Sequence, residues 1–296
     1  MPTLVSQLIE DTRRHLYGTS RLSLNRLAAG NINDTVTTIT IEFDVKDIVR
    51  GALISIDDEL MWVIDSNPAA KTATVIRGYL GTTAAAHNLG SIIEVNPRFP
   101  RPYIKRALQQ EIDSWGTKLF KVVTANIPFT NSTRIYDLVG LTNFIYIFDA
   151  RMSSYVGRTT RANPYRWTVL RDMDVAEFPS GSAIELLGDY PNSGTLRVKA
   201  AIEFDVSTWT DNTDVESLGL ASSMTDIPPI GAAWRLMSAK EVGRTNLTAQ
   251  PEPRKAEEVP AGHIASVAAQ LKKLRDDRID EERWTLMQRY PLKGVA

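Results

Sequence analysis

The sequence predicts an α+β chain: an N-terminal helix and small β-barrel, a connecting helix, a β-sandwich and a C-terminal helical segment. Three observations carry that prediction. Apolar residues repeat at helical spacing near both ends and again just after residue 100. The stretches between them alternate with period two, and clusters of Gly, Pro, Asn and Asp interrupt those stretches at short intervals. The 296 residues exceed what one small core needs, and the pattern changes place domain boundaries at 1–121, 122–206 and 207–296, with a linker at 248–260.

The first helix is predicted over 4–17, with Leu4, Leu8, Thr12 and Leu16 along one stripe, Thr3 as N-cap and Gly18 as the stop. From residue 35 the period becomes two: Thr37, Ile39, Ile41 and Phe43 share one face of a strand. Strands at 52–56 and 60–64 follow, joined by the acidic turn Asp57-Asp58-Glu59, then strands at 72–76 and 92–95. A small antiparallel barrel closes the edges of so many short strands. Pro97, Pro100 and Pro102 introduce the connecting helix, in which Ile104, Leu108, Ile112, Trp115 and Leu119 recur at helical spacing. Beyond residue 122 the pattern is extended through 134–138, 144–148, 167–170, 183–187 and 195–204, which reads as a β-sandwich. Asp226-Ile227-Pro228-Pro229 opens a helix, and a last helix is predicted over 261–289, about 40 Å long.

Composition narrows the function classes. The 34 basic and 35 acidic residues leave a net charge of -1, which gives no bulk basic footprint for nucleic acid. With no cysteine there is no disulfide, thiolate metal site or cysteine nucleophile. No apolar run approaches the length of a membrane span, so a soluble, cytoplasmically assembled protein with no membrane contact is expected. His15, His87 and His263 lie far apart without zinc-type spacing and read as surface or loop residues. The run Gly78-Tyr79-Leu80-Gly81-Thr82 lacks the lysine of a phosphate loop, and Ser180 has no nucleophile-elbow context. Asp57, Asp58 and Glu59 read as hairpin-turn residues rather than a glycosidase acid pair. No catalytic residue, cofactor or metal site is expected.

Two features remain. The run Arg77-Gly78-Tyr79-Leu80-Gly81-Thr82, with Ala84-Ala85-Ala86-His87 and Gly90, reads as a structural turn built on Gly78, Gly81 and Gly90. In the last helix Ile264, Val267, Leu271 and Leu274 form a heptad-like seam that shifts toward Ile279, Leu286, Met287 and Tyr290, with charged residues around it. Such a seam either packs on its own domain or meets a partner.

Together with the helix ending Arg13-Arg14-His15-Leu16, the helix from Pro97 to Trp115, the segment Asp226-Ile227-Pro228-Pro229-Ile230-Gly231-Ala232-Ala233-Trp234-Arg235-Leu236 and the closing Glu281-Glu282-Arg283-Trp284 and Arg289-Tyr290-Pro291, the glycine run resembles the head-to-tail adaptor (connector) proteins of tailed bacteriophages. The resemblance covers about two thirds of the chain and leaves the middle β-sandwich outside it. It implies a non-enzymatic virion neck protein: a homo-oligomeric ring, twelve-fold like the portal, docked on the portal protein and followed by a tail or nozzle protein. DNA would pass through its lumen with weak non-specific contact, and Ile264, Val267, Leu271, Leu274, Trp284, Leu286 and Tyr290 would form the portal or subunit interface. Another phage tail or baseplate structural protein is the nearest alternative. A carbohydrate-binding or glycan-cleaving β-sandwich module is the alternative from another class.

Overall fold

The computed structural model describes residues 3–17, 24–28, 32–130, 132–141, 144–154, 166–187, 193–247 and 263–291. The predicted linker at 248–260 and the predicted stop at Gly18 lie outside them. The chain is mixed helix and strand, and it divides into two compact units that cut across the predicted boundaries. One comprises Leu4–Glu111 and Asp226–Arg275; the other comprises Met1–Thr3, Ile112–Thr225 and Asp276–Ala296.

In the first unit, helix α1 (Val5–Tyr17) buries Val5, Leu8, Ile9, Thr12 and Leu16. Thr12 joins this apolar stripe because its hydroxyl donates to the Leu8 carbonyl at 2.7 Å, which removes the cost of burying it. The stripe packs against helix α3 (Ile227–Leu247), which explains why a segment distant in sequence belongs to this unit. Six antiparallel strands, β1 (Leu24–Arg26), β2 (Thr38–Thr40), β3 (Leu53–Ile56), β4 (Glu59–Asn67), β5 (Thr72–Ile76) and β6 (Ile92–Val95), form one sheet in the order β1-β6-β3-β4-β5-β2. The bridge Leu27↔Ile41 joins the ends of the two edge strands, so the sheet curls on itself. Ile39, Ile54, Ile56, Met61, Val75 and Ile93 fill its interior.

Two elements here differ from expectation. The strand predicted through residue 43 ends at Thr40, with one further bridge at Ile41, and Phe43 is exposed. Helix α2 (Arg101–Asp113) stops short of residue 119, and Trp115 and Leu119, which belong to the second unit, are buried from the tight turns that follow.

The second unit contains two three-stranded antiparallel sheets. β7 (Lys121–Thr130), β12 (Ser193–Ile202) and β9 (Phe144–Ser154) form one, and β10 (Arg166–Arg171), β11 (Ser182–Leu187) and β8 (Ile135–Asp137) form the other. They share one core, to which Ile127, Phe129, Ile147, Leu196 and Val198 come from the first sheet and Tyr136, Ile184 and Leu186 from the second. The β9–β12 ladder slips between Lys199 and Ala200, where Asp149 and Ile147 are the successive partners and Phe148 is left over as a bulge. Helix α4 (His263–Arg289) belongs to the first unit as far as Arg275 and to the second from Asp276.

Candidate functional site

The glycine run is organised around one buried carboxylate. Glu59 is 1% exposed and opens β4 rather than lying in the turn. Its Oε1 accepts from Arg77 Nε at 2.8 Å and from the Gly78 N–H at 2.9 Å. Its Oε2 accepts from Arg77 Nη2 at 2.8 Å, the Ala85 N–H at 3.0 Å and His87 Nε2 at 2.9 Å. Arg77 reaches further, donating to the carbonyls of Asn33, Val36 and Ala85. The predicted surface or loop position of His87 is therefore corrected. It is 2% exposed, pairs with Ile32 through the backbone, and donates from Nδ1 to Asp57 at 2.8 Å. His15 is exposed as expected, and the His263 side chain lies outside the described residues.

Electrostatics follow from this geometry. Burial works against ionisation of Glu59, but the hydrogen bonds from Arg77, His87, Ala85 and Gly78 outweigh it and hold the carboxyl at about 2. Burial likewise works against the His87 cation, and the bonds and charges of Asp57 and Glu59 overcome it and raise the ring to about 9. At neutral pH both ring nitrogens carry protons and both are engaged. Such a ring has no lone pair for a metal, a substrate proton or nucleophilic attack.

The three carboxylates of the acidic segment thus take three different structural roles. Asp57 holds His87, Asp58 pairs with Arg101 at 3.3 Å and with Lys105, and Glu59 ties the loop together. The hairpin reading holds for Asp57 and Asp58 only. Gly78 has φ +59°, and a Cβ there would lie 2.9 Å from the Thr82 carbonyl oxygen, so both backbone angle and space require glycine. Gly81 and Gly90 also have positive φ, but open space surrounds them.

The predicted interface on α4 is rearranged. Val267 and Leu271 are half-buried and Leu274 is exposed, while the Ile264 side chain lies outside the described residues. The stripe buried within the chain is Ala268, Arg275, Ile279, Glu282 and Leu286. In the first unit, Arg275 Nε donates to Glu111 Oε1 at 2.6 Å and Arg235 Nε to Glu111 Oε2 at 2.9 Å, where Glu111 is fully buried. In the second unit, Ser223 Oγ donates to Glu282 Oε2 at 3.0 Å and Arg278 Nη2 to the Ser223 carbonyl at 2.8 Å. Tyr290 lies with its ring 5.3 Å from that of Phe148. Leu286 and Tyr290 are therefore engaged inside the chain, and among the described residues the large apolar side chains that α4 exposes are Leu274, Met287 and Trp284, the last 65% exposed.

Comparison with protein-family models and with curated proteins finds no match to this chain. Among the described residues no helix is long and apolar enough to cross a membrane. Sequence reasoning missed the Glu59–Arg77–His87 cluster. The available signal was an arginine immediately before the glycine run and a histidine closing it, in a chain with an acidic turn 18 to 30 residues earlier.

Proposed function

We propose that this chain is a virion structural protein, a head-to-tail adaptor that assembles as a ring on the portal protein and continues the DNA channel toward the tail. On this reading the curled sheet is a small β-barrel, the paired sheets are a β-sandwich, and the ring has twelve copies. The observation that carries the proposal is Trp284, exposed with Met287 on the part of α4 that Glu282 and Leu286 anchor in the second unit. Exposed aromatic and aliphatic groups on a rigid element are characteristic of subunit and docking interfaces. A non-enzymatic role is supported by His87, whose two ring nitrogens are both engaged, and by the structural use of each carboxylate in the acidic turn.

Electron microscopy and native mass spectrometry of the purified full chain test the proposal. A closed ring that co-sediments with portal-bearing heads supports it. A monomer that ignores the heads refutes it, and glycan-array binding by that monomer would replace it with the carbohydrate-module reading.

A further inference from the structure

The outer face of the β7-β12-β9 sheet carries a concave site of about 180 Å³ lined by Asp149, Arg151, Arg197 and Lys199. Its placement follows from the register. Leu196, Val198 and Ala200 point into the shared core, so Arg197 and Lys199 lie on the opposite face of β12. Arg197 pairs across the ladder with Arg151, and Lys199 with Asp149.

Three cations therefore face a single carboxylate in a chain whose net charge is -1. Asp149 is already paired with Arg151 Nε. Lys199 Nζ lies 5.1 Å from the Tyr290 ring centroid, which positions the ammonium without neutralising it. Arg197 has no hydrogen-bond or ion-pair partner among the described residues. Two guanidinium groups directly opposite each other on neighbouring strands repel, a cost that disappears when an anion lies between them. Guanidinium forks match the spacing of phosphate oxygens, and the hollow is roomy enough for a tetrahedral oxyanion.

We propose that Arg151, Arg197 and Lys199 form a binding site for a phosphate group. Arg197 is the principal ligand, Lys199 a second point of positive charge, and Asp149 a built-in competitor that keeps the site weak. The group is either free phosphate or a phosphodiester of duplex DNA. The site is on the sheet and stands independently of the role assigned to α4.

The test uses the full-length chain and two probes, inorganic phosphate followed through arginine side-chain NMR signals and a short DNA duplex followed by fluorescence anisotropy at several salt concentrations. With either probe, Arg197→Gln combined with Lys199→Gln should weaken binding at least tenfold, and Asp149→Asn should tighten it about threefold. The gain from Asp149→Asn separates the site from simple unfolding, as does an unchanged circular dichroism spectrum. A response to phosphate alone assigns a free-oxyanion site. Duplex binding whose log–log salt slope falls by about one to two in the double variant assigns a DNA-backbone contact. Absence of response to both probes, or an undiminished response in the double variant, overturns the proposal.

Discussion

Raising the pH should loosen the 77–90 loop through a single proton on His87. The ring's folded value of about 9 exceeds its ordinary 6.5, so the stabilisation is complete below about pH 6.5 and is lost as the pH rises through about 9. At 1.36 kcal/mol per tenfold in proton affinity, that gap corresponds to about 3 kcal/mol. Asp57 is more than half exposed, so solvent screens its share and the working figure is about 2 kcal/mol. Glu59 acts with the opposite sign. Its folded value of about 2 lies below the ordinary 4.5, so its contribution is present above about pH 4.5 and lost as the pH falls through about 2. The loop is most stable between these limits. The Gly78 and Ala85 N–H groups, both bonded to Glu59, report the effect by hydrogen exchange. Their protection, corrected for intrinsic base catalysis, should fall about thirtyfold between about pH 6 and about pH 9.5. His87→Gln should be destabilised at the lower pH and show no further loss at the higher one. An NMR titration placing His87 below about 7, or equal protection at the two pH values, would refute the reasoning.

Three further outcomes are expected. Gly78→Val should lower stability by about 2 to 4 kcal/mol in urea melts, and Gly81→Val by about 1 kcal/mol, because only the first adds a backbone clash to the unfavourable angle; equal losses would mean that the crowding at Thr82 is irrelevant. Gly231→Ala places a methyl 2.2 Å from Glu111 Cδ and should cost about 3 kcal/mol by displacing the carboxylate that Arg235 and Arg275 share, measured as a drop in Tm. Trp284→Glu with Met287→Glu should leave monomer stability within about 0.5 kcal/mol while abolishing ring assembly or head attachment. Removing residues 248–296 is a poorer test, because it also takes away the buried Arg275, Ile279, Glu282 and Leu286.

The elements that could be read from sequence are those in which apolar and β-branched residues recur at a regular period between turn signals. β5 and β6 fall at the predicted residues and α1 differs by one; α1 buries Val5, Leu8, Ile9 and Leu16 and β5 buries Ala73 and Val75, whereas β6 exposes Ile92 and buries Glu94 beside Ile93 and Val95. β1 escaped because its pattern is inverted: Leu24 faces out while Asn25 is buried, donating to the Asp44 carbonyl and accepting from the N–H of Phe43 and Arg26. The same inversion explains α4. Its leucines suggested a seam that includes Leu274, whereas two of its anchors, Arg275 and Glu282, are charged side chains made buriable by Glu111 and Ser223 far away in sequence. The Glu59 cluster was hidden for that reason too, since its partners lie 18 and 28 residues on. Polar burial depends on partners that no local period reveals.

The bulge at Phe148 separates two requirements that a regular strand would force to compete. Inward positions Ile147 and Ala150 are three apart instead of two, and the surplus outward position carries the ring that meets Tyr290, Phe120 and Tyr146. Excising that one residue would restore alternation from Tyr146 to Met152, with Tyr146, Asp149 and Arg151 outward and Ile147 and Ala150 inward, and would leave the second slip, between Ala201 and Ile202, in place. The ladder and the basic hollow would keep their phase, and only the aromatic seat of Tyr290 would disappear. The length of β9 is thus a one-residue adjustment that grips or releases the tip of the last helix while the sheet beneath it is left intact.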